Sequence, residues 1–290
     1  MHSKQPALSV LTPTFRKPLL LRRALDSLLQ QTCPDWEMVV SPDDGADYSA
    51  LLDADPRVRL VDPQGQSRTG PGAARNRALA HAKGEFVACL DDDDTVDANF
   101  VEVCLKALKN TPAVIVPSTY VSSNLEPIRS VAQYARHLDI PAFADLFATL
   151  HISCRRDMAK PWTSYFAEDV LHTCSAIDRA GGRIDVAVGT TYRITVHQDS
   201  VCATRSDIRP AYERILAHLD NGQLLAELSP QGRAATRDLF SKRLQMQQRF
   251  EARADPSIDY QNFVQQHFGT PAVSFPTSQD RAGRAANPAP

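Results

Sequence analysis

Apolar runs and helical stripes alternate over the N-terminal third of the chain. Short apolar or alternating runs predict strands, and apolar residues spaced by three and four positions predict helices. On this basis strands are expected at 7–11, 36–40, 58–61 and 86–90, and helices at 21–29, 73–82 and 100–108. Pro18 suits the first turn of the first helix, Pro34 lies beyond its end, and Asp97 is placed to cap the last helix. Strands and helices that alternate across short loops predict an α/β fold with a mostly parallel central sheet and helices on both faces.

The remainder of the chain has a less regular pattern. Strands are expected at 113–121, 183–188 and 190–197, and helices at 142–150 and 168–180. No period fits residues 151–166. Amphipathic helices are expected over 207–268, and the Pro- and Ala-rich end predicts a disordered tail. By pattern, the chain divides into an α/β domain at 1–204, a helical C-terminal region at 205–268 and the tail at 269–290.

Composition narrows the class of protein. The chain has 290 residues, a formal charge of -2 and 43% apolar residues, which is ordinary for a soluble protein and argues against a nucleic-acid binder that relies on positive charge. Its six cysteines form no CxxC motif and no paired spacing, so reduced thiols and a cytoplasmic location are expected. No apolar stretch is long enough to predict a transmembrane helix, while peripheral membrane contact stays open.

Charged residues follow four of the predicted strands or the loops after them. The four segments are TPTFR at 12–16, SPDDG at 41–45, GPGAARNRAL at 70–79 and DDDD at 91–94. Each has a plain alternative, as a turn or as surface charge on a helix. In an open α/β sheet, however, ligands bind at the carboxyl ends of the strands. Consecutive carboxylates also repel one another unless a cation or hydrogen-bond donors lie among them. The pattern predicts a divalent metal beside a ligand that has a base, a ribose and a diphosphate.

Four longer segments, taken in order, resemble successive motifs of family 2 glycosyltransferases, which have the GT-A fold. They are LSVLTPTFRKPLLLRRALDSLLQQTCPDWEMVVSPDDGAD, GPGAARNRALAHAKGEFVACLDDDD, FAEDVLHTCSAIDRAGGRI and YRITVHQDS. The resemblance is continuous over about 8–110 and resumes at about 166–200. It does not cover 120–160 or the residues after about 205. Ser41 and Pro42 depart from it, because family members usually have apolar residues there.

The resemblance implies roles for particular residues. Asp91, Asp92 and Asp93 match the family's Asp-X-Asp motif, and the expected ligands of Mn²⁺ or Mg²⁺ are Asp91, Asp93 and His197. The residues expected to bind the nucleotide sugar are Pro13, Thr14, Phe15, Arg16, Asp43, Asp44, Arg75, Asn76, Asp91 and Asp92. Asp169 matches the general base, and Glu168 is the next candidate.

The chemistry of such a reaction agrees with these residue types. A departing nucleoside diphosphate develops negative charge, which a divalent ion stabilises as a Lewis acid. Mg²⁺ and Mn²⁺ prefer oxygen ligands and tolerate an imidazole. A carboxylate can remove the proton of an attacking hydroxyl, which gives direct displacement with inversion. Alternatives stay open at this point: Glu168 and Asp169 would also favour a helix dipole, and a lone histidine is often structural.

The sequence therefore predicts an inverting, metal-dependent glycosyltransferase of bacterial polysaccharide or glycoconjugate synthesis. The expected donor is a nucleotide-diphosphate sugar, UDP-linked in preference to other nucleotides, and the acceptor is a carbohydrate or glycolipid hydroxyl. Residues 205–268 are expected to contact the acceptor or form a homodimer surface. One alternative, a sugar-phosphate nucleotidylyltransferase, expects a Gly-rich loop that TPTFRKP lacks. Another is a non-catalytic nucleotide-sugar-binding or scaffold module.

Overall fold

The computed structural model describes residues 5–61, 65–133, 135–197, 207–255 and 257–268. An eight-stranded sheet forms its centre, in the order β3-β2-β1-β4-β10-β6-β11-β9. The strands of this sheet are β1 (Leu8–Thr14), β2 (Trp36–Pro42), β3 (Val58–Leu60), β4 (Phe86–Cys89), β6 (Ala113–Ile115), β9 (His137–Leu138), β10 (Ile152–Arg155) and β11 (Ile184–Val186). Strand β1 pairs in parallel with β2 and β4, whereas β10 runs antiparallel between β4 and β6. The sheet is therefore mostly parallel, as expected.

A second, four-stranded sheet lies beside the carboxyl end of β4, in the order β5-β12-β7-β8. Its strands are β5 (Thr95–Val96), β7 (Ser118–Val121), β8 (Pro127–Val131) and β12 (Tyr192–Thr195). Strand β5 begins directly after the aspartate run, and β12 pairs with it and with β7. The small sheet therefore holds one side of the aspartate run in place.

Helices cover both faces of the central sheet. Those of the α/β part are α1 (Pro18–Leu29), α2 (Pro71–His81), α3 (Phe100–Leu108), α4 (Ile140–Leu146) and α5 (Glu168–Arg179), and those of the C-terminal region are α6 (Ile208–Asp220), α7 (Pro230–Glu251) and α8 (Tyr260–Phe268). Alternate side chains of β1 point to opposite faces. Val10 packs in a cluster with residues of α1 and α3, and Leu11 packs in another with residues of α2 and α5.

The C-terminal helices share a hydrophobic core with the sheet. Ile215 of α6 and Phe240 of α7 belong to the cluster that contains Leu11 and the buried face of α5. Helix α8 packs through Phe263 against α7 in a smaller cluster. The helical region is thus fixed against the α/β part by buried apolar contacts, although the predicted boundary near residue 204 lies outside the described residues, as does the predicted tail at 269–290.

Two local predictions were wrong. Residues 113–121 form two strands in different sheets because Pro117, which cannot donate a backbone hydrogen bond, separates β6 from β7. Asp97 does not cap α3 with its side chain; its carboxylate pairs with Arg193, and Asn99 occupies the cap position without a side-chain bond. The segment that fitted no period, 151–166, supplies β10 from four of its residues, too few to show a period.

Candidate active site

The carboxyl ends of β1, β2 and β4 open into one cleft with a volume of about 1490 Å³. The predicted site residues that line this cleft are Pro13, Thr14, Phe15, Arg16, Asp43, Arg75, Asp91, Asp92, Asp93, Glu168 and Asp169. The opposite wall comes from α6, α7 and the residues around the start of α8. The topology therefore brings the segments singled out by the sequence to the same edge of the sheet and adds a wall of C-terminal helices.

The first two aspartates of the run have different partners. Asp91 accepts a hydrogen bond of 2.5 Å from Arg75, and Nε2 of His151 lies 3.5 Å from its other oxygen. Burial would raise the pKa of Asp91, but the charges of Arg75 and His151 hold it well below its usual range. Asp92 accepts bonds from the Thr14 hydroxyl and the Phe15 backbone N–H, at 2.8 and 3.1 Å. Burial, followed by the charge of Asp93, raises the pKa of Asp92 to about 7.

The other two aspartates are also held by groups far away in sequence. Asp93 Oδ2 lies 2.5 Å from Lys17 Nζ and 2.8 Å from His197 Nε2. Burial would raise the pKa of Asp93, but the hydrogen bond from His197 and the charge of Lys17 lower it. Asp94 is buried and accepts a 2.8 Å bond from the Thr195 backbone N–H. Burial and the charges of Asp93 and Asp91 raise its pKa well above the ordinary value.

Among the described residues, one grouping at the aspartate run suits a divalent cation: ligand atoms of Asp91, Asp94 and His151 all lie within 4.8 Å of one another, a convergence that the sequence did not indicate. Of the predicted set, His197 contacts Asp93 directly, but it is not among the residues that line the cleft. Carboxylate oxygens with one imidazole nitrogen fit the preferences of Mn²⁺ and Mg²⁺. The ammonium group of Lys17 supplies part of the compensating charge at Asp93.

Asp43, at the end of β2, is fixed by hydrogen bonds of both its side chain and its backbone. It accepts 2.8 Å bonds from Arg77 and from the backbone N–H of Gly70, and a 2.6 Å bond from Thr69. Its own backbone N–H donates to the carbonyl of Thr14. Arg77 also bonds the Ser41 hydroxyl and the Pro42 carbonyl. The Ser41 hydroxyl, which the family's usual apolar residue would lack, therefore gives Arg77 one further acceptor beside Asp43.

The two candidate bases at the start of α5 have different surroundings. Arg75 reaches Glu168 and Asp91 at 2.5 Å each, so Glu168 is one end of a buried ion-pair chain. Burial, with the charge of Asp169 in support, raises the pKa of Glu168 despite Arg75. Asp169 is only partly buried, lines the cleft, and accepts a bond from the Val170 backbone N–H. Among the described residues, Asp169 makes no ion pair.

Helix α2 approaches the segment before α5 very closely. A Cβ atom on Gly72 would lie 2.4 Å from the Thr163 carbonyl oxygen, so only glycine fits there without a backbone shift. Asn76, one turn further along α2, bonds the backbone N–H and carbonyl of Trp162. These contacts fix the chain that leads to Asp169.

Several predicted or considered residues lie away from the cleft. Asn76 and Asp44 are not among the lining residues, and Asp44 instead bonds Tyr48 and the backbone of Arg16. Trp162, whose backbone Asn76 holds, is buried, and its ring stacks on His172 with ring centroids 4.0 Å apart. Asp44 and Asn76 hold the loops that carry site residues.

Sequence reasoning missed several residues of the site. Lys17, two residues after Phe15, stands in a segment that was already singled out, and its charge was the available signal. His151 and Tyr192 lie at the Asp91 end of the cleft, with ring centroids 4.9 Å apart. Tyr165 hydrogen-bonds His218 of α6, and both line the cleft. No local pattern indicates these last contacts, because each joins segments that are far apart in the chain.

Similarity to known proteins agrees with this architecture. UDP-Glc:alpha-D-GlcNAc-diphosphoundecaprenol beta-1,3-glucosyltransferase WfgD of Escherichia coli is 34% identical over 106 residues, which are 35% of this chain and 41% of that protein. GalNAc(5)-diNAcBac-PP-undecaprenol beta-1,3-glucosyltransferase of Campylobacter jejuni is 38% identical over 94 residues, 31% of this chain and 30% of that protein. The matched part is less than half the length of either relative.

Solved structures show the same fold. S. aureus TarS 1-349 in complex with UDP-GlcNAc superposes with a TM-score of 0.62 at 17% identity and covers 89% of this chain and 80% of its own. Mannosyltransferase PcManGT from Pyrobaculum calidifontis, in complex with GDP-Man and Mn²⁺, gives a TM-score of 0.55 at 18% identity over 83% of this chain and 70% of its own. These likenesses confirm the GT-A fold. The sequence model of glycosyl transferase family 2 matches residues 9–156, about half of the chain, and the protein belongs to that family.

Proposed function

We propose that the protein is an inverting glycosyltransferase that moves a sugar from a nucleotide-diphosphate sugar to a hydroxyl group. The observation that carries this proposal is the position of Asp169, which is open to the cleft that also contains the aspartate run at the end of β4. A donor bound at the strand ends would place its anomeric carbon between the two. A carboxylate there can take the proton of an attacking hydroxyl.

The donor we propose is a UDP-sugar. Asp43, held by Arg77 and Gly70, would receive the base, while Pro13, Thr14 and Phe15 form the adjoining wall. A relative named for UDP-Glc and a structural neighbour that binds UDP-GlcNAc support this choice. Arg75 would keep Asp91 ionised next to the diphosphate.

A divalent ion, Mn²⁺ or Mg²⁺, would be held by Asp91, Asp93 and His197. When bound, it would supply Lewis-acid stabilisation of the departing diphosphate. Carboxylate oxygens and one imidazole are the ligand types that such an ion accepts, His197 contacts Asp93 directly, and a structural neighbour contains Mn²⁺. Lys17 would supply positive charge beside Asp93.

The acceptor we propose is a lipid-linked carbohydrate. Two relatives are named for undecaprenol-diphosphate acceptors, and the cleft of about 1490 Å³ is lined by residues of α6 and α7 and around the start of α8 as well as by the strand ends. No helix in the described part of the chain is both long and apolar enough to cross a bilayer. The five described cysteines are free, which supports the expected reducing, cytoplasmic location.

The test compares Asp169→Asn with Glu168→Gln. Asp169→Asn should lower transfer by about 10²- to 10⁴-fold and leave UDP affinity unchanged, because the amide cannot accept a proton. Glu168→Gln should lower stability, because it removes the negative charge that pairs with the buried Arg75. Transfer from UDP-glucose and UDP-GlcNAc, and binding of UDP, are measured for each.

Three outcomes would count against the proposal. Near-normal transfer by Asp169→Asn would remove that residue as the base. UDP binding that is equal in EDTA and in Mn²⁺ would remove the metal. If the wild-type protein binds UDP-sugars but neither transfers nor hydrolyses them with Mn²⁺ present, it is a binding module and the proposed activity is wrong.

A further inference from the structure

Two buried arginines, one of which lines the cleft, have no acidic partner in the part of the chain that the structure describes. Arg243 of α7 lines the cleft and is 6% exposed, and Arg129 of β8 is 4% exposed. Burial chiefly, and then the charge of Arg243, lowers the pKa of Arg129, so the two like charges act on each other. Within the described ranges, neither guanidinium forms an ion pair. Buried charges are ordinarily paired, so this arrangement needs an explanation.

Part of the explanation is structural. Arg243 Nη2 donates a 2.5 Å bond to the Ala148 carbonyl, and Arg129 donates to the carbonyls of Leu146 and Phe147. These carbonyls lie at the C-terminal end of α4, where positive side chains are favourable. Backbone carbonyls carry only partial charge, however, so two full positive charges remain in excess.

The hydrogen bonds to the end of α4 leave other polar atoms of these side chains without a partner. The Nε atoms of Arg243 and Arg129 are buried without a hydrogen-bond partner, and so is the hydroxyl of Tyr260. An orphaned buried donor is costly, so several in one place indicate a ligand that would satisfy them. Arg243 and Tyr260 both line the cleft, together with Gln247, Phe250 and Gln261.

Arg243 lines the same cleft as the proposed base, Asp169. Burial opposes the charge of Arg243, and its pKa is raised by the neighbouring tyrosines, Tyr212 first and then Tyr260, with the carboxylate of Asp169 contributing as well. Asp169 therefore acts electrostatically on Arg243 across the cleft. A substrate whose hydroxyl meets Asp169 would bring its neighbouring substituents toward Arg243.

We infer that the acceptor carries an anionic group, a carboxylate or a phosphate, that binds to Arg243 and the Tyr260 hydroxyl. This inference rests on the proposed transfer to a second substrate in this cleft. The planar guanidinium matches either anion with paired N–H donors, and a desolvated site strengthens such charge-assisted bonds. A tyrosine hydroxyl supplies a further donor, and Phe250 supplies an apolar side to the subsite.

The test measures binding of three small probes with the donor site filled. Methyl β-D-glucuronide offers a carboxylate, D-glucose 1-phosphate offers a phosphate, and methyl β-D-glucoside is neutral. Dissociation constants are measured by calorimetry with saturating UDP and Mn²⁺, whose binding is established beforehand by a separate titration. At least one anionic probe should bind about 10-fold or more tightly than the neutral probe. The probe that wins identifies the anion as carboxylate or phosphate.

Variants test whether the preference for an anionic probe comes from the subsite formed by Arg243, Tyr260 and Phe250. Arg243→Gln should lose about 10- to 100-fold in affinity for the favoured anion and little for methyl β-D-glucoside, because a charged hydrogen bond is lost. Arg249→Gln is the matched control, since Arg249 is an exposed arginine on the same helix, and it should keep the preference. Tyr260→Phe provides a second variant that should fold as well as the parent, because the hydroxyl it removes has no partner.

The results decide in either direction. A preference for an anion that falls in Tyr260→Phe and in Arg243→Gln, and survives in Arg249→Gln, supports the subsite. Equal affinity for the three probes, or a preference that survives in Tyr260→Phe with its melting temperature unchanged, overturns it. The probe measurement needs no catalysis. If the wild-type protein binds the anionic probe as expected but transfers no sugar, the subsite stands and the proposed function is wrong.

Discussion

Replacement of Arg75 should destabilise the fold more than any surface charge change. Its side chain is 3% exposed and reaches both Asp91 and Glu168 at 2.5 Å. Its pKa is well above the ordinary value because the charges of Asp91 and Glu168 outweigh the effect of burial. Arg75→Met would leave Glu168 buried without its partner, and Asp91 with only His151. Breaking a buried pair in this way costs about 3 to 5 kcal/mol.

That loss is large against the whole stability of a domain, about 5 to 15 kcal/mol. Urea unfolding followed by circular dichroism measures it. With a slope of about 2 kcal/mol per molar urea, a loss of about 4 kcal/mol lowers the midpoint by about 2 M. Arg22→Met is the control, because Arg22 pairs with Asp26 at the surface, with side chains 55% and 43% exposed. Its effect should stay within about 0.5 kcal/mol.

A double variant separates charge from packing. Arg75→Met combined with Glu168→Leu removes both ends of one buried pair, so it should be at least about 1 kcal/mol more stable than Arg75→Met alone. If Arg75→Met lowers the free energy of unfolding by less than about 1 kcal/mol, the ion pairs of Arg75 with Asp91 and Glu168 do not stabilise the fold as expected. If the double variant is no better than the single one, the uncompensated charge is not the cause of the loss.

Two further predictions concern the surroundings of α5. Gly72→Ala should lower the free energy of unfolding in urea by about 1 to 3 kcal/mol and also lower transfer, because the new methyl group must displace the Thr163 carbonyl. If neither stability nor transfer changes, α2 does not approach Thr163 as closely as the structure shows. Burial lowers the pKa of His172 to about 3, so below the ordinary value of 6.5 the unfolded chain binds a proton that the folded chain does not. Stability should therefore fall as pH drops from about 6.5 toward 3, by up to about 1.4 kcal/mol per pH unit from this residue. His172→Phe, which can still stack on Trp162, should flatten that slope, and an equal slope in both proteins would rule His172 out.

The local pattern of the chain was enough to predict most of the elements. Apolar runs and helical stripes are set by neighbouring residues, so β1, α1, β2, β3, α2, β4 and α5 lie within a few residues of their expected positions. Three short strands, β5, β9 and β10, were not predicted, because they have two to four residues and their segments show no period. A proline inside an apolar run, Pro117, was the available signal for the break between β6 and β7.

The location of the site also followed from the sequence. Parallel strands joined by helices bring their carboxyl ends to one edge, so charged residues after β1, β2 and β4 had to meet there. The family resemblance added the expected roles of Asp43, Asp91 and Asp169, and the structure places all three in one cleft.

Only the tertiary structure decided which charge is paired with which. Lys17 meets Asp93, and His151 meets Asp91, across long separations in sequence that no periodicity records. The same is true of Arg75, whose bond to Glu168 leaves Asp169 as the open carboxylate. Burial raises the pKa of all four aspartates, but their neighbours in space lower it for Asp91 and Asp93 and leave it raised for Asp92 and Asp94, although the four stand side by side in the chain. Sequence determines which groups reach the edge of the sheet, but the energy of a charge depends on its neighbours in space and on its distance from water.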